Sequence, residues 1–146
     1  MTPDQLMEAA GTKPFEILVV DDSPEDTRLI RDAFSLWKGN RRVQSFLNGV
    51  EALNHFRNCP LETLPDLILL DWNLPGIRGE QLLEHLKNDQ SLRKIPVVIF
   101  TSSSAPPDRL KATELGADSF ITKPLDIDEF FNVIAGLEDF VNAPGR

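Results

Sequence analysis

The chain has 146 residues, of which 41% are hydrophobic and 26% charged, a composition typical of one globular domain. Its formal net charge of −8 argues against a surface that binds nucleic acid. The longest apolar runs are far shorter than the roughly 20 residues of a membrane-spanning helix, and the chain has no secretory signal and one cysteine, so we predict a cytoplasmic protein that contacts no membrane.

Short apolar runs alternate with amphipathic helical segments, a pattern typical of βα units around a parallel sheet. Five units are predicted, with strands at residues 16–20, 43–46, 67–70, 97–100 and 119–122. Three helices begin at recognisable caps, which are Ser23 with Pro24 after it, Asn48, and Asp126. We expect the domain to occupy residues 14–141, with an extension at 1–13, a tail at 142–146 and no output domain.

Polar residues stand at the ends of four predicted strands. Asp21 and Asp22 follow the first, Asp71 follows the third, Thr101 ends the fourth, and Lys123 follows the fifth. In open parallel α/β sheets, ligands bind beyond the carboxyl ends of the strands, near the point where strand order reverses. Any one of these residues alone is more simply explained as a helix cap or a solvated loop residue. The set of five predicts a site at one edge of the sheet.

The three aspartates of this set indicate the chemistry of the site. Carboxylates so close together repel one another, so the cluster must be protonated, paired with a cation or bound to a metal. Ligands that are all oxygens suit Mg²⁺ or Mn²⁺. A carboxylate beside a divalent cation and an ammonium group is suited to accept a phosphoryl group on its oxygen.

At these residues the chain resembles the receiver domains of two-component response regulators. The matching segments are Leu18-Val19-Val20-Asp21-Asp22, Asp71-Trp72-Asn73-Leu74-Pro75-Gly76 with Gly79, Thr101-Ser102, and Lys123-Pro124. Their order and spacing make the resemblance specific, and it extends from about Lys13 to Phe140. It implies an α/β fold of the flavodoxin-like receiver type, (βα)5, a doubly wound parallel sheet with strand order 2-1-3-4-5.

The resemblance also implies roles for the aspartates of the site. Asp71 would be the phosphorylated residue. Asp22 and Asp71 would bind Mg²⁺ together with the backbone carbonyl of Asn73, and Asp21 would bind the ion through water.

The remaining site residues take their implied roles from the same resemblance. Thr101 would donate a hydrogen bond to a phosphoryl oxygen, and Lys123 would form an ion pair with the phosphoryl group, with the bond from Lys123 to Pro124 commonly cis. Phe120 lies at the switch position, where tyrosine is frequent. A hydroxyl contact is excluded there, but a ring that turns inward on phosphorylation is not. Arg78 stands where small or acidic residues are common, so the usual role of that turn is not carried over.

The implied function is that of a single-domain response regulator. It would accept a phosphoryl group from a sensor histidine kinase on Asp71 in a Mg²⁺-dependent reaction, and signal through phosphorylation-dependent protein contacts. It would be no enzyme with a separate substrate, since it would catalyse only its own phosphotransfer and autodephosphorylation. Residues 86–89, 95–98 and 101–103 resemble stand-alone regulators paired with bacterial phytochromes. A bacteriophytochrome-type kinase is therefore a candidate partner, while the downstream target is not identified.

Two other functions are alternatives to this one. A haloacid-dehalogenase-type phosphatase also uses an aspartate nucleophile at a strand end with Mg²⁺, but it needs a second aspartate two residues later as general acid. That position is Asn73, which supplies no proton, and the chain is short for that fold. A degenerate receiver that acts only as a scaffold is the other alternative, and a phosphorylation assay separates it from an active one.

The last predicted helix carries more apolar residues than one buried stripe requires. The stripe expected to cover the sheet consists of Ile127, Phe131 and Ile134, and a second set beside it consists of Phe130, Val133, Leu137 and Phe140. The second set is either the margin of a wide core stripe or a surface for a partner. The resemblance to stand-alone phytochrome-associated regulators implies dimerisation through the C-terminal face. We therefore favour a homodimer, with Glu138 and Asp139 at its polar rim.

Overall fold

The computed structural model of the protein describes residues 14–142. The predicted extension at residues 1–13 and the last four residues of the predicted tail lie outside this part of the chain. The strands are β1 (Phe15–Val20), β2 (Arg41–Phe46), β3 (Leu67–Leu70), β4 (Val97–Thr101) and β5 (Ser119–Thr122). The helices are α1 (Pro24–Phe34), α2 (Gly49–Asn58), α3 (Gly79–Asn88), α4 (Pro106–Glu114) and α5 (Ile127–Asn142), with a short 3₁₀ helix at Leu61–Thr63.

The five strands form one parallel sheet in the order β2-β1-β3-β4-β5. The predicted fold class and strand order are confirmed. The order reverses between β1 and β3, so the carboxyl ends of these two strands meet at the point where such sheets bind ligands. None of the helices between residues 14 and 142 is long and apolar enough to cross a membrane.

The predicted caps begin their helices as expected. The Ser23 hydroxyl accepts a hydrogen bond from Asp26 N–H at 3.1 Å, and the Asn48 side chain accepts one from Glu51 N–H at 2.9 Å. The Asp126 side chain accepts a hydrogen bond from Glu129 N–H at 3.0 Å. Each cap satisfies a backbone donor that has no partner within the helix, and so fixes where the chain turns from a strand end into the next helix.

The sheet carries one apolar cluster on each face. The first lies under α2, α3 and α4 and includes Trp72, Leu82, Leu86, Ile99 and Phe120. The second lies under α1 and α5 and includes Ile30, Phe34, Trp37, Phe100 and Ile134. A strand with both faces covered consists of apolar residues throughout, and β3 is such a strand.

The buried stripe of α5 differs from the predicted one. Phe130, Ile134, Leu137 and Val141 are buried in the second cluster, whereas Ile127 is 58% exposed. Phe131, Val133 and Phe140 are partly buried against the same cluster. The assignment of Ile127 to the core is therefore wrong, because this residue begins the helix beyond the end of the sheet. Phe130 and Leu137, predicted to lie in the second set, belong to the core.

Candidate functional site

Two strand ends bring three carboxylates together. Val20 and Leu70 are register partners in β1 and β3, so Asp21 and Asp71 leave the sheet side by side. One oxygen from each of Asp21, Asp22 and Asp71 lies within 4.8 Å of the others. Asp21 and Asp71 are 2% and 6% exposed, whereas Asp22 is exposed.

The Lys123 ammonium lies among these carboxylates. Its Nζ atom is 2.7 Å from Asp21 Oδ2 and 3.3 Å from Asp71 Oδ2, and 2.8 Å from Oδ2 of Asp26 in the first turn of α1. The sheet places the lysine, because its backbone N–H donates to the Thr101 carbonyl at 2.7 Å and continues the pairing of β4 with β5. One buried cation therefore offsets part of the charge of three carboxylates.

Burial and pairing act in opposite directions on the ionised groups at the centre. Burial raises the pKa of Asp21 from 3.8 to about 6, and hydrogen bonds from Lys123 and from Ser23 N–H only partly offset this effect. Burial lowers the pKa of Lys123, but its hydrogen bonds to Asp21 and Asp26 outweigh burial and raise that pKa above its ordinary value. At neutral pH the lysine is charged, and burial opposes the ionisation of Asp21.

The turn after β3 packs closely against Asp71. Asn73 N–H donates to Asp71 Oδ1 at 3.2 Å, and Gly79 N–H donates to the Trp72 carbonyl at 3.1 Å. A Cβ atom at Gly79 would lie 2.3 Å from the Asp71 carbonyl oxygen and 2.7 Å from Trp72 Cα. Glycine is therefore required at position 79 for the start of α3 to approach the end of β3.

Thr101 lies on β4, the strand next to β3, and Phe120 lies on β5, the strand beyond it. Thr101 is fully buried at the end of β4, and its hydroxyl accepts a hydrogen bond from Ser103 N–H. Phe120 is 8% exposed. Its ring centroid lies 6.4 Å from that of Trp72 and 4.9 Å from the guanidinium carbon of Arg109. The Phe120 ring is thus already buried in this structure, and a switch role for it stays a prediction.

Two details implied by the resemblance have different outcomes. Every peptide bond between residues 14 and 142 is trans, including the bond from Lys123 to Pro124, so the expectation of a cis bond is wrong. Asn73 is exposed beside Asp71, to which it donates a backbone hydrogen bond. Metal binding by its carbonyl oxygen stays a prediction.

The carboxylate cluster fits a divalent cation by its donor set. Asp21, Asp22 and Asp71 each offer an oxygen to one small region, and Lys123 offsets only part of their charge. Hard oxygen ligands suit Mg²⁺ and Mn²⁺ alike. The side chains therefore fit either ion.

Comparison with known proteins assigns this geometry to a family. The profile of the response regulator receiver domain matches residues 17–135. The chain is a response regulator receiver domain. This receiver is 30% identical to the response regulator Rcp1 of Synechocystis sp. (strain ATCC 27184 / PCC 6803 / Kazusa). The match extends over 140 residues and covers 92% of this chain and 93% of Rcp1.

Solved structures of other response regulators superpose well on this receiver. The phosphorylated cyanobacterial phytochrome response regulator RcpA does so with a TM-score of 0.84 and 31% identity, covering 92% of this chain and 98% of RcpA. The Mn²⁺-bound form of Rcp1 gives a TM-score of 0.81 and 29% identity, covering 91% of this chain and 98% of Rcp1. The predicted family and its place in two-component signalling are confirmed.

Two residues of this receiver that the sequence did not single out contact the predicted site residues. The sequence explains Asp26 as an acid at the positive end of a helix dipole, yet its carboxylate is hydrogen-bonded to Lys123. The one feature of the sequence that indicates this contact is the position of Asp26 in the first turn of α1, directly after the end of β1. Arg109 donates to the Phe120 carbonyl at 3.1 Å as well as covering the ring, and nothing in the pattern of α4 marks it.

Proposed function

We propose that this receiver accepts a phosphoryl group from a sensor histidine kinase on Asp71 and signals through protein contacts that depend on phosphorylation. The observation that carries the proposal is a buried carboxylate at the reversal point of the sheet, 3.3 Å from the Lys123 ammonium and inside the three-aspartate cluster. The reported phosphorylated form of RcpA supports the same reaction here. In this reading the chain acts on no separate substrate and promotes only its own phosphotransfer and autodephosphorylation.

Asp71 is a better nucleophile than its buried neighbour Asp21 because its oxygens are held less tightly. Asp71 accepts contacts of 3.2 Å and 3.3 Å from Asn73 N–H and Lys123. Asp21 accepts shorter ones, 2.9 Å from Ser23 N–H and 2.7 Å from Lys123. An Asp71 oxygen would attack phosphorus and form the new P–O bond, while the bond from phosphorus to the donor breaks and the donor leaves with its electron pair.

The neighbouring groups would stabilise the charge of the phosphoryl oxygens. Lys123 would pair with one oxygen, and the Thr101 hydroxyl would turn to donate to another. Asp21, Asp22 and Asp71, with the carbonyl of Asn73, would hold Mg²⁺ or Mn²⁺, which when bound offsets the negative charge at the site. The Mn²⁺-bound form of Rcp1 supports this choice of ion.

The partners are proposed from charge and from the relatives. RcpA is a phytochrome response regulator, which makes a bacteriophytochrome-type histidine kinase the first partner to test. A net charge of −8 supports action without contact with nucleic acid, and the single cysteine fits a location in the cytoplasm. Phosphotransfer from a panel of histidine kinases identifies the partner, and the downstream target can then be sought with the phosphorylated protein.

The decisive experiment detects covalent phosphorylation of the protein. Acetyl phosphate with Mg²⁺ should add one phosphoryl group to wild type, measured by intact-mass spectrometry, and nothing when a chelator replaces the metal. Asp71→Asn should gain no mass, whereas Glu84→Gln, which changes an exposed acid of α3, should behave as wild type. Equal modification of wild type and Asp71→Asn would contradict the assignment, and an unmodified wild type would favour the scaffold alternative.

A homodimer through α5 is a second proposal, and its surface is narrower than the sequence suggested. Val133 and Phe140 are partly buried against the core and lie along one flank of α5. Glu138, predicted for the polar rim, instead accepts a hydrogen bond from Lys38 N–H at 3.0 Å within the same chain. The interface would therefore be built on the flank that carries Val133 and Phe140.

The oligomeric state tests this proposal directly. We expect wild type to dimerise at micromolar concentration in analytical ultracentrifugation and Phe140→Asp to be monomeric. Phe131→Asp is the matched control, since Phe131 is also partly buried in the same cluster but lies on the opposite flank of the helix, and it should still dimerise. A wild type that is monomeric with and without phosphodonor contradicts the dimer.

A further inference from the structure

Lys123 is surrounded by three carboxylates, one for each N–H of its ammonium group. The Nζ atom is 2.7 Å from Asp21, 2.8 Å from Asp26 and 3.3 Å from Asp71. Asp21 and Asp71 belong to the cluster that can hold a metal ion, and Asp26 does not. Of these three partners, Asp26 is the one that a bound cation would leave to the lysine.

A divalent cation bound by Asp21 and Asp71 would compete with the ammonium group for these two carboxylates. The Lys123 side chain is 7% exposed, and its backbone is fixed to Thr101, so the ammonium reaches water only if the side chain leaves the site. A buried cation without a counter-ion is unfavourable. The Asp26 side chain, which is 29% exposed, would provide that counter-ion when a metal ion binds Asp21 and Asp71.

We propose that Asp26 is a positioning residue that holds the Lys123 ammonium at the site when a metal ion binds Asp21 and Asp71. The inference rests on the proposed function, because it assigns Asp26 a part in loading the same site. Asp26 is itself held in place by the start of α1, where its N–H donates to the Ser23 hydroxyl at 3.1 Å. It acts on the metal only through Lys123.

The substitution Asp26→Asn keeps the size of the side chain and removes its charge. Without its counter-ion, the ammonium binds Asp21 and Asp71 more strongly, so we expect the affinity for Mg²⁺ to fall about three- to tenfold. Isothermal titration calorimetry measures this affinity with no phosphodonor present.

Three further variants separate contact with Lys123 from a general effect of charge. Glu25→Gln removes the same charge from the adjacent, exposed position, and should alter Mg²⁺ affinity less than about twofold. Asp26→Glu restores the charge and should recover most of the affinity. In a Lys123→Met background, the effect of Asp26→Asn should shrink to that of Glu25→Gln.

The outcomes distinguish this inference from the proposed function. Equal Mg²⁺ affinities for Asp26→Asn and Glu25→Gln would overturn the role of Asp26, as would an undiminished effect of Asp26→Asn when Lys123 is methionine. A wild type that neither binds Mg²⁺ nor gains a phosphoryl group would instead contradict the proposed function. Thermal unfolding in chelator checks that the variants fold, and Asp26→Ser serves as a second uncharged variant if Asp26→Asn does not.

Discussion

The interior of the sheet and its carboxyl edge are built from different residues. Every residue of β3 is apolar and at most 1% exposed. Between residues 14 and 142, four polar or charged residues are buried as whole residues, namely Asp21, Thr27, Asp71 and Thr101, and the Lys123 side chain is 7% exposed. All five lie at the carboxyl edge or in the helix turn beside it. The interior therefore provides stability, whereas the edge concentrates charge that opposes it, and substitutions in the two regions should have opposite effects.

The largest effect is expected in the interior. Ile99 is fully buried in β4, and Ile99→Ala should lower the free energy of unfolding by about 3–4 kcal/mol, through lost apolar burial and the cavity left behind. Urea denaturation followed by circular dichroism measures the change. Leu110→Ala, at a 61% exposed position of α4, is the control and should stay within about 0.5 kcal/mol of wild type. Similar values for the two variants would mean that the sheet interior is loosely packed.

The next effect is expected where the interior meets the edge. In Gly79→Ala the new Cβ atom would lie 2.3 Å from the Asp71 carbonyl oxygen, so the turn must move. We expect a loss of stability of about 2 kcal/mol together with slower phosphorylation of Asp71. Gly136→Ala in α5 is the matched control, since its Cβ atom would meet nothing within 4 Å, and it should stabilise the protein by about 0.5–1 kcal/mol. A Gly79→Ala variant as stable as Gly136→Ala would contradict the close approach.

At the edge, removing a charge should stabilise the protein. In chelator, Asp71→Asn relieves repulsion within a cluster whose oxygens lie within 4.8 Å of one another. Because Lys123 already offsets part of that repulsion, we expect a gain of only about 1 kcal/mol. Glu84→Gln, which removes an exposed charge from the middle of α3, should change stability little. A loss of stability in Asp71→Asn would show that the Lys123 contact outweighs the repulsion.

The last effect concerns Asp21 and the pH dependence of stability. Burial raises the pKa of Asp21 to about 6 in the folded state, from an ordinary value of 3.8. The folded protein therefore binds this proton more readily than the unfolded chain, and the stability from protonation is complete below about pH 4 and lost as pH rises through about 6. In chelator, the stability of Asp21→Asn relative to wild type should thus fall by about 1–2 kcal/mol between pH 7.5 and pH 4.5. A constant difference across this range would contradict the raised pKa.

The same contrast explains how much could be predicted from the sequence. The strands and their order followed from apolar runs and from the resemblance, because a strand covered on both faces admits few residue types. The convergence of Asp21, Asp71 and Lys123 was predicted from their positions at strand ends. Register places Asp21 beside Asp71, and Lys123 follows β5 at the same edge of the sheet. These parts of the fold and site depend on the backbone.

What the sequence did not predict depends on side chains that reach across between elements. The contact of Asp26 with Lys123 joins the first turn of α1 to the end of β5, and no local pattern encodes it. The buried stripe of α5 was predicted to begin at Ile127, but it begins at Phe130. Both residues are apolar, so periodicity does not distinguish them, and the position of the helix on the sheet decides which one is covered. Contacts of this kind are set by packing, which overrides local periodicity.

The chain contains two tryptophans and no tyrosine, and the two indole rings lie on opposite faces of the sheet. Trp72 belongs to the cluster under α2, α3 and α4. Trp37 belongs to the cluster under α1 and α5, and its indole N–H donates to the Ile134 carbonyl at 3.1 Å. Each helical layer thus carries its own fluorophore, and a Trp→Phe change at either position isolates the emission of the other. If the domain unfolds as one cooperative unit, the two signals share a denaturant midpoint, whereas separate midpoints would mean that one helical layer detaches from the sheet before the other.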